Sequence, residues 1–317
     1  MDAAPRAELL PVRPAADIEA EPQHSGWLIE GLWTQQGVGL IGGAPKCCKT
    51  WLALDLAVSV ASGTPALGRF SVRESGPVLF YGAEDQAAHL RLRIEVIAAA
   101  RGLGLIGLEL GLILCPSLRL DAERDRARLA ATLAHHRPRL LILDPLVRLH
   151  RIDENSANEM AALLAELRIL QRRYQLALVL VHHLRKQSGP ADGQALRGSG
   201  DLHAWGDSNL FLRRRQQQLV LTAEHRTAPA PPPYALELTG EAPPHLRVVD
   251  PESDLPEPTS QLADRILVAL AQADRPLSRD ALRHTLGIRN ATLGEILARL
   301  RAERRIERRD GGFVLDR

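Results

Sequence analysis

The sequence predicts an α/β fold, a mostly parallel sheet flanked by helices, with a small separate unit at its C-terminal end. Three observations carry this reading. Short apolar runs at Val38–Ile41, Pro77–Tyr81, Leu140–Leu143 and Leu176–Val181 have the length and content of buried strands, and each runs into polar residues. Helical-period segments lie between them, as parallel crossovers require. A Pro- and acid-rich stretch, Asp250 to Pro258, then divides the chain from a region with its own apolar pattern.

Composition narrows the class. A chain of 317 residues suits one large domain and one small one. Apolar residues make up 45% but aromatics only 3%, so the core is expected to be Leu, Ala, Val and Ile. The formal net charge is +2, so any nucleic-acid contact must come from local patches. Three cysteines, two of them adjacent, make no disulfide framework and suggest a reducing, cytoplasmic setting. The N-terminus lacks a basic-then-apolar leader, and no apolar run approaches the roughly 18–20 residues of a membrane span.

In chain order, residues 1–23 read as a flexible arm, 24–249 as the main domain, 250–259 as a Pro/acidic linker and 260–317 as a separate unit. Trp27 to Trp33 is an amphipathic lead-in, its tryptophans either lid or core residues or neighbours of a bound base. Strands follow at Val38–Ile41, Pro77–Tyr81, Leu110–Cys115, Leu140–Asp144 and Leu176–Val181, with helices at 51–60, 86–101, 121–135 and 158–174. His135 and His136 suit a helix C-terminus. Asp207–Leu212 and Leu219–Glu224 read as strands around Arg213–Gln216, a basic hairpin tip. Pro229–Pro233 excludes helix and inner strand, and Tyr234–Leu238 and His245–Val249 read as edge strands.

The first strand runs into Gly43–Ala44–Pro45–Lys46–Cys47–Cys48–Lys49–Thr50. This matches the phosphate-cradling pattern G-x-x-x-x-G-K-[ST] at every specified position but one. Backbone N–H groups of such a loop and of the helix N-terminus face phosphates. Lys49 would reach the β- and γ-phosphates of ATP, and the Thr50 hydroxyl would hold Mg²⁺. Cys48 stands where the second glycine belongs, a position that tolerates unusual φ and close approach. A degenerate loop and a Cys47–Cys48 redox pair are the competing readings. Of the 40 basic residues only three are lysines, and two of those, Lys46 and Lys49, sit in this loop. Lysine and arginine are not interchangeable at phosphate sites.

The remaining strand ends carry further candidates. Glu84 and Asp85 follow one strand, where parallel α/β sheets place ligands. Glu84 is the candidate base for an attacking water, and Asp85 a helix cap or secondary support. Asp144 ends the clearest buried strand and would join Thr50 at the Mg²⁺ shell. His182 and His183 end another, suited to sensing a γ-phosphate; a two-His metal site is the alternative. Leu196–Asp201 is a Gly-rich polar loop whose Arg197 suits contact with DNA phosphate. Glu224–His225–Arg226 precedes the Pro-rich break, and an ion pair between Glu224 and Arg226 is the plain reading of that segment.

The C-terminal unit has helices at about 262–270, 279–286 and 290–301, then two short strands around Asp310–Gly311. Three helices and a hairpin make a winged helix. Six arginines against two glutamates between Arg299 and Arg309 make its wing basic. Arg299, Arg301, Arg304, Arg305 and Arg308 are its candidate DNA contacts, with protein docking as the other use of such a unit.

Residues 25–240 resemble the RecA/DnaB-type ATPases, and within them the RepA-like hexameric replicative helicases of plasmids and their AAA-type relatives. The segments that carry the resemblance are GGAPKCCKTWLALDLAVSVASG, VLFYGAEDQ, LLILDPLVR, LVLVHHLRK, ALRGSGDLHAWGDSNLFL and AEHR. The resemblance implies a homo-hexameric ring with ATP and Mg²⁺ between subunits and single-stranded DNA inside. It implies Glu84 as catalytic base, Asp144 as the second acidic motif, His183 as γ-phosphate sensor, and Arg226 as the arginine finger of the neighbouring site. Arg197 falls in the segment resembling the central DNA-binding loop. Cys48 and His225 depart from the pattern. Two functions are therefore expected in competition. One is an ATP-driven helicase or helicase loader for a plasmid or other mobile element. The other is a DNA-binding regulator that uses ATP as an assembly switch.

Overall fold

The computed structural model describes residues 11–18, 26–154, 156–184, 200–215, 218–239, 245–249, 258–273, 276–286, 290–303, 305–309 and 312–316. The chain divides into two compact units, Met1–Val248 and Val249–Arg317.

The first unit opens with a small antiparallel pair, β1 (Trp27–Ile29) and β2 (Trp33–Thr34). Trp33 is buried and its indole N–H donates to the Gly37 carbonyl, so it is a core residue. The elements that follow are β3 (Val38–Gly43), α1 (Lys49–Ser62), β4 (Val78–Gly82), α2 (Ala87–Ala99), β5 (Leu110–Leu112) and α3 (Glu123–His136). Then come β6 (Leu140–Asp144), α4 (Ala157–Tyr174), β7 (Ala177–His183), α5 (Gly200–Trp205), β8 (Ser208–Arg215), β9 (Gln218–His225), β10 (Tyr234–Thr239) and β11 (His245–Val248).

Nine strands form one sheet in the order β11-β10-β9-β8-β3-β7-β6-β4-β5. The six from β8 to β5 are parallel, and β9, β10 and β11 extend the sheet antiparallel. Only β11 of the last pair is an edge; β10 lies between β9 and β11. The sequence suggests two edges because proline precedes β10, but that proline run stops before the first ladder bond.

Each face of the sheet is covered. One core gathers α1 and α2 against Ile41, Val78, Phe80 and Leu212; the other gathers α3, α4 and α5 against Leu40, Leu141, Leu178 and Phe211. Alternation along each strand sends successive side chains to opposite cores. α1 is apolar on nearly every side because the sheet, α2 and β11 surround it. Its one buried carboxylate, Asp55, pairs with Arg101 at 2.6 Å and accepts the Leu67 N–H at 2.7 Å.

Strand register then aligns the chemistry. β3 pairs with β7 so that Gly43 faces His183, and β4 pairs with β6 so that Gly82 faces Asp144. Four strand ends that the sequence marks as polar therefore reach one edge of the sheet.

The second unit has α6 (Pro258–Ala271), α7 (Arg279–Leu286) and α8 (Asn290–Ala302), then the antiparallel hairpin β12 (Ile306–Arg309) and β13 (Gly312–Leu315). Its own core includes Ile266, Leu282, Leu293, Ile296 and Leu300.

Candidate active site

The loop between β3 and α1 is built by tight packing. A Cβ at Gly43 would stand 2.5 Å from Cys47 Sγ and 2.6 Å from the Leu212 carbonyl oxygen, so only glycine fits. Lys46 and Cys48 both have positive φ, 64° and 65°. Left-handed residues on either side of Cys47 turn successive backbone N–H groups toward one hollow. Cys48 is also the N-cap of α1 and makes no side-chain cap bond, so the first turn's N–H groups receive nothing from it. The backbone thus takes the glycine conformation although the residue is cysteine, at a cost of about 1 kcal/mol.

Lys49 is buried at the head of α1. Its Nζ donates to the carbonyls of Gly43 at 3.0 Å and Ala44 at 2.9 Å. Burial lowers its pKa, opposed by the neighbouring Cys47, Asp144 and Glu84. Thr50 Oγ1 donates to Asp144 Oδ2 at 2.7 Å. Asp144 is 7% exposed, and burial pushes its pKa up to about 6, with Asp85 and Glu84 adding to the rise and Thr50 and Lys49 opposing it. A buried carboxylate beside a hydroxyl, facing two further carboxylates, is suited to a hard cation. The loop, ammonium and carboxylate together fit a nucleotide polyphosphate with Mg²⁺.

Glu84 accepts from Arg148 Nε at 2.7 Å. Asp85 pairs with Arg93 at 2.8 Å, and Arg93 lies over the Trp51 ring at 5.6 Å. Asp85 is not a helix cap: Gln86 is the N-cap of α2, with no side-chain cap bond. Arg93, on α2 itself, captures the Asp85 carboxylate instead. A cavity of about 280 Å³ takes in Cys48, Lys49, Thr50, Glu84, Asp144 and His183.

The two histidines that end β7 separate. His183 lines the cavity, its pKa lowered by burial and by Lys49. His182 turns away and is 6% exposed, with Nδ1 3.9 Å from Glu154 Oε1. His150 Nε2 approaches the same oxygen at 3.7 Å. Burial first, then the positive neighbours, hold His182 down to about 4.

Arg226 lies at the opposite end of the sheet. Its backbone N–H donates to the Asp207 carbonyl, and its guanidinium to the Ala204 carbonyl at 2.6 Å, with Asp207 Oδ1 at 3.5 Å. Asp207 also receives the Val38 N–H, at the start of β3, and the Arg168 guanidinium. Five residue steps along β3 separate that start from Gly43, about 17 Å of strand, so Arg226 does not reach its own loop. The plain ion pair with Glu224 does not form. Glu224 binds His203 at 2.6 Å, because the end of α5 offers carbonyls and Asp207 a carboxylate to the arginine. His225 is packed edge-on to Trp27 and hydrogen-bonded to Ser208 Oγ and the Gly31 carbonyl.

Arg197 and Arg304 lie outside the described residues. In the second unit Arg301 and Arg308 are exposed, Arg299 pairs with Glu303 at 2.8 Å, and Arg305 approaches Asp264 at 4.0 Å. Sequence reasoning passes over Arg148, Arg93, Asp207 and Asp55. Arg148, Asp207 and Asp55 act through partners distant in the chain and Arg93 through one two helical turns away, and only the apolar setting of Asp55 marks it as unusual.

A mostly parallel sheet with helices on both faces and a glycine loop opening α1 defines a RecA-like P-loop fold. The AAA domain family matches residues 3–189, more than half of the chain, and the chain belongs to that family. Among solved structures it is similar to the RadB recombinase, at 17% identity over 68% of this chain and 92% of that one, TM-score 0.50. It is also similar to a DnaB-like replicative helicase described with its interactions with primase, at 16% identity over 65% of this chain and 57% of that one, TM-score 0.50. Likeness at such identities is likeness of fold.

Proposed function

We propose that the chain binds ATP with Mg²⁺ at the β3–α1 loop and hydrolyses it to drive work on DNA, as a RepA-like hexameric helicase or helicase loader for a plasmid or other mobile element. The carrying observation is the convergence of Lys49, the Thr50–Asp144 pair and Glu84 on one cavity. In this reading Lys49 neutralises the phosphates and Thr50 with Asp144 holds Mg²⁺. Glu84 accepts a proton from the attacking water as a bond forms to the γ-phosphorus. The bridging P–O bond to the β-phosphate breaks, giving ADP and phosphate. His183 senses the γ-phosphate. Arg226 serves a neighbouring subunit's site, which its distance from its own loop supports. The second unit, read as a winged helix, contacts duplex DNA through its arginines, and Arg197 contacts the single strand.

Two observations favour the alternative, an ATP-switched DNA-binding regulator without helicase activity. Glu84 is ion-paired to Arg148, and Cys48 holds a conformation suited to glycine. Strand displacement on a forked duplex, with ATPase measured with and without DNA and subunit mass with and without ATP, separates the two. DNA-stimulated turnover with displacement supports the motor. ATP-dependent assembly and DNA binding without displacement supports the switch. No nucleotide binding at all would discard both.

A further inference from the structure

The basic tip of the β8–β9 hairpin has no part in the reading above. β8 runs parallel to β3 with Leu212 opposite Gly43, and it continues past that point to Arg215. Its last residues therefore flank the loop. Their direction follows from alternation. Leu210 and Leu212 lie in the core under α1 with Ile41 and Cys47, whereas Phe211 lies in the core of the other face. Arg214 continues the Leu210–Leu212 series. Its cross-strand partner, Leu219, is in the α1 core as well. Arg214 is exposed, and its guanidinium has no hydrogen-bond or ion-pair partner among the described residues. Its charge is felt at both loop thiols, Cys48 and Cys47, where it lowers pKa values that burial raises.

The nucleotide has two ends, and the sheet order separates them. Glu84 and Asp144 follow β4 and β6, on one side of β3; β8 is on the other. A γ-phosphate beside the carboxylates and their cation leaves the α-phosphate and nucleoside toward β8. We propose that Arg214 is a nucleotide-binding residue that pairs with the α-phosphate held in its own subunit's loop. This rests on the reading of the loop as a nucleotide site. A planar guanidinium matches two phosphate oxygens, which Lys49 as a point charge does not. Because ATP and ADP share the α-phosphate, the contact strengthens both alike and leaves the chemical step unchanged.

The test is titration of the full-length chain with ATP and with ADP, in wild type, Arg214→Ala, Arg214→Lys, Arg213→Ala and Lys49→Ala, each checked for an unchanged melting temperature. Arg214→Ala is expected to weaken ATP and ADP by the same factor, about tenfold, as for loss of one charge-assisted contact. Arg214→Lys should recover part of that loss. Arg213→Ala, on the opposite face, should bind as wild type does. Turnover at saturating ATP should stay within about twofold, the signature of uniform binding. Unchanged ADP affinity in Arg214→Ala overturns the proposal, as does weakening of ATP alone, which would put the residue at the γ-phosphate. If Lys49→Ala loses binding while Arg214→Ala keeps it, the nucleotide reading stands and this proposal falls. If wild type binds neither nucleotide, both fall.

Discussion

The two ends of the central sheet are built on different terms. At the loop end, Lys49, Asp144, Glu84 and His183 crowd one cavity; Asp144 accepts from Thr50 and Glu84 from Arg148. Lys49 donates to carbonyls of its own loop, as an ammonium does that awaits a better acceptor. At the other end, Asp207 binds Arg168, Arg226 and the N–H of Val38 in one closed network. The first end is organised around something it would receive. The second is organised around a residue it holds out, since the Arg226 side chain remains half exposed. The difference teaches that charged clusters are read by what they leave unpaired: carboxylates facing a cavity signal a cation, whereas a shared carboxylate signals a positioned arginine.

The largest effect is expected from the second end. If Arg226 completes a neighbour's site, Arg226→Ala loses about 10³–10⁵-fold in turnover. Mixing it with Lys49→Ala under verified subunit exchange restores part of the activity, because some interfaces then join an intact loop to an intact arginine. Wild-type turnover in Arg226→Ala alone would make that end purely structural and end the comparison.

Glu84→Gln tests the first end, with an expected loss of about 10²–10⁴-fold in hydrolysis and retained ATP affinity. Unaltered turnover removes Glu84 from catalysis and leaves it as the partner of Arg148.

Behind the loop, His182 makes a pH prediction. Its folded pKa, about 4, lies below the model-peptide value of 6.5. Between those values the unfolded chain binds a proton that the folded chain refuses, so stability is present above pH 6.5 and lost as pH falls toward 4. The full loss is on the order of 3 kcal/mol. Thermal melts of His182→Gln should flatten over that window relative to wild type; identical slopes would clear His182 of the effect.

The smallest effect belongs to Cys48. Cys48→Gly relieves a left-handed Cβ but adds unfolded-state freedom, so net stability changes by about 1 kcal/mol or less. ATP affinity is expected to hold or rise. A clear fall in affinity by titration would mean that the thiol itself contacts the nucleotide.

The parallel core is legible in the sequence because each buried strand is an unbroken apolar run with a polar terminator. Glu84, Asp144 and His183 can be read from those terminators alone, since strand ends at one edge must meet. The resemblance favours His183 over His182, and alternation along β7 gives the same choice: Ala177, Val179 and Val181 face the α1 core and His183 continues that series, whereas His182 continues Leu178 and Leu180 on the other face. Asp85 reads as a cap in the sequence because its true partner, Arg93, sits eight residues away along the helix that follows. The Glu224–Arg226 pair fails for a similar reason. Proximity along one strand favours the contact, but His203 and Asp207, brought in by the end of α5 and the start of β8, outcompete it.

The distance between Arg226 and Lys49 has a consequence for counting. If Arg226 completes a neighbour's site, a subunit that keeps its loop at one end and its arginine at the other is a link with a hook and an eye. An open row of such links always has one empty eye, and a single link in dilute solution has nothing in it. Specific activity would then rise with protein concentration and fall on dilution, and only closure of the row into a ring would free it from both ends. On that reading, the length of β3 is what keeps a subunit's arginine from serving its own loop.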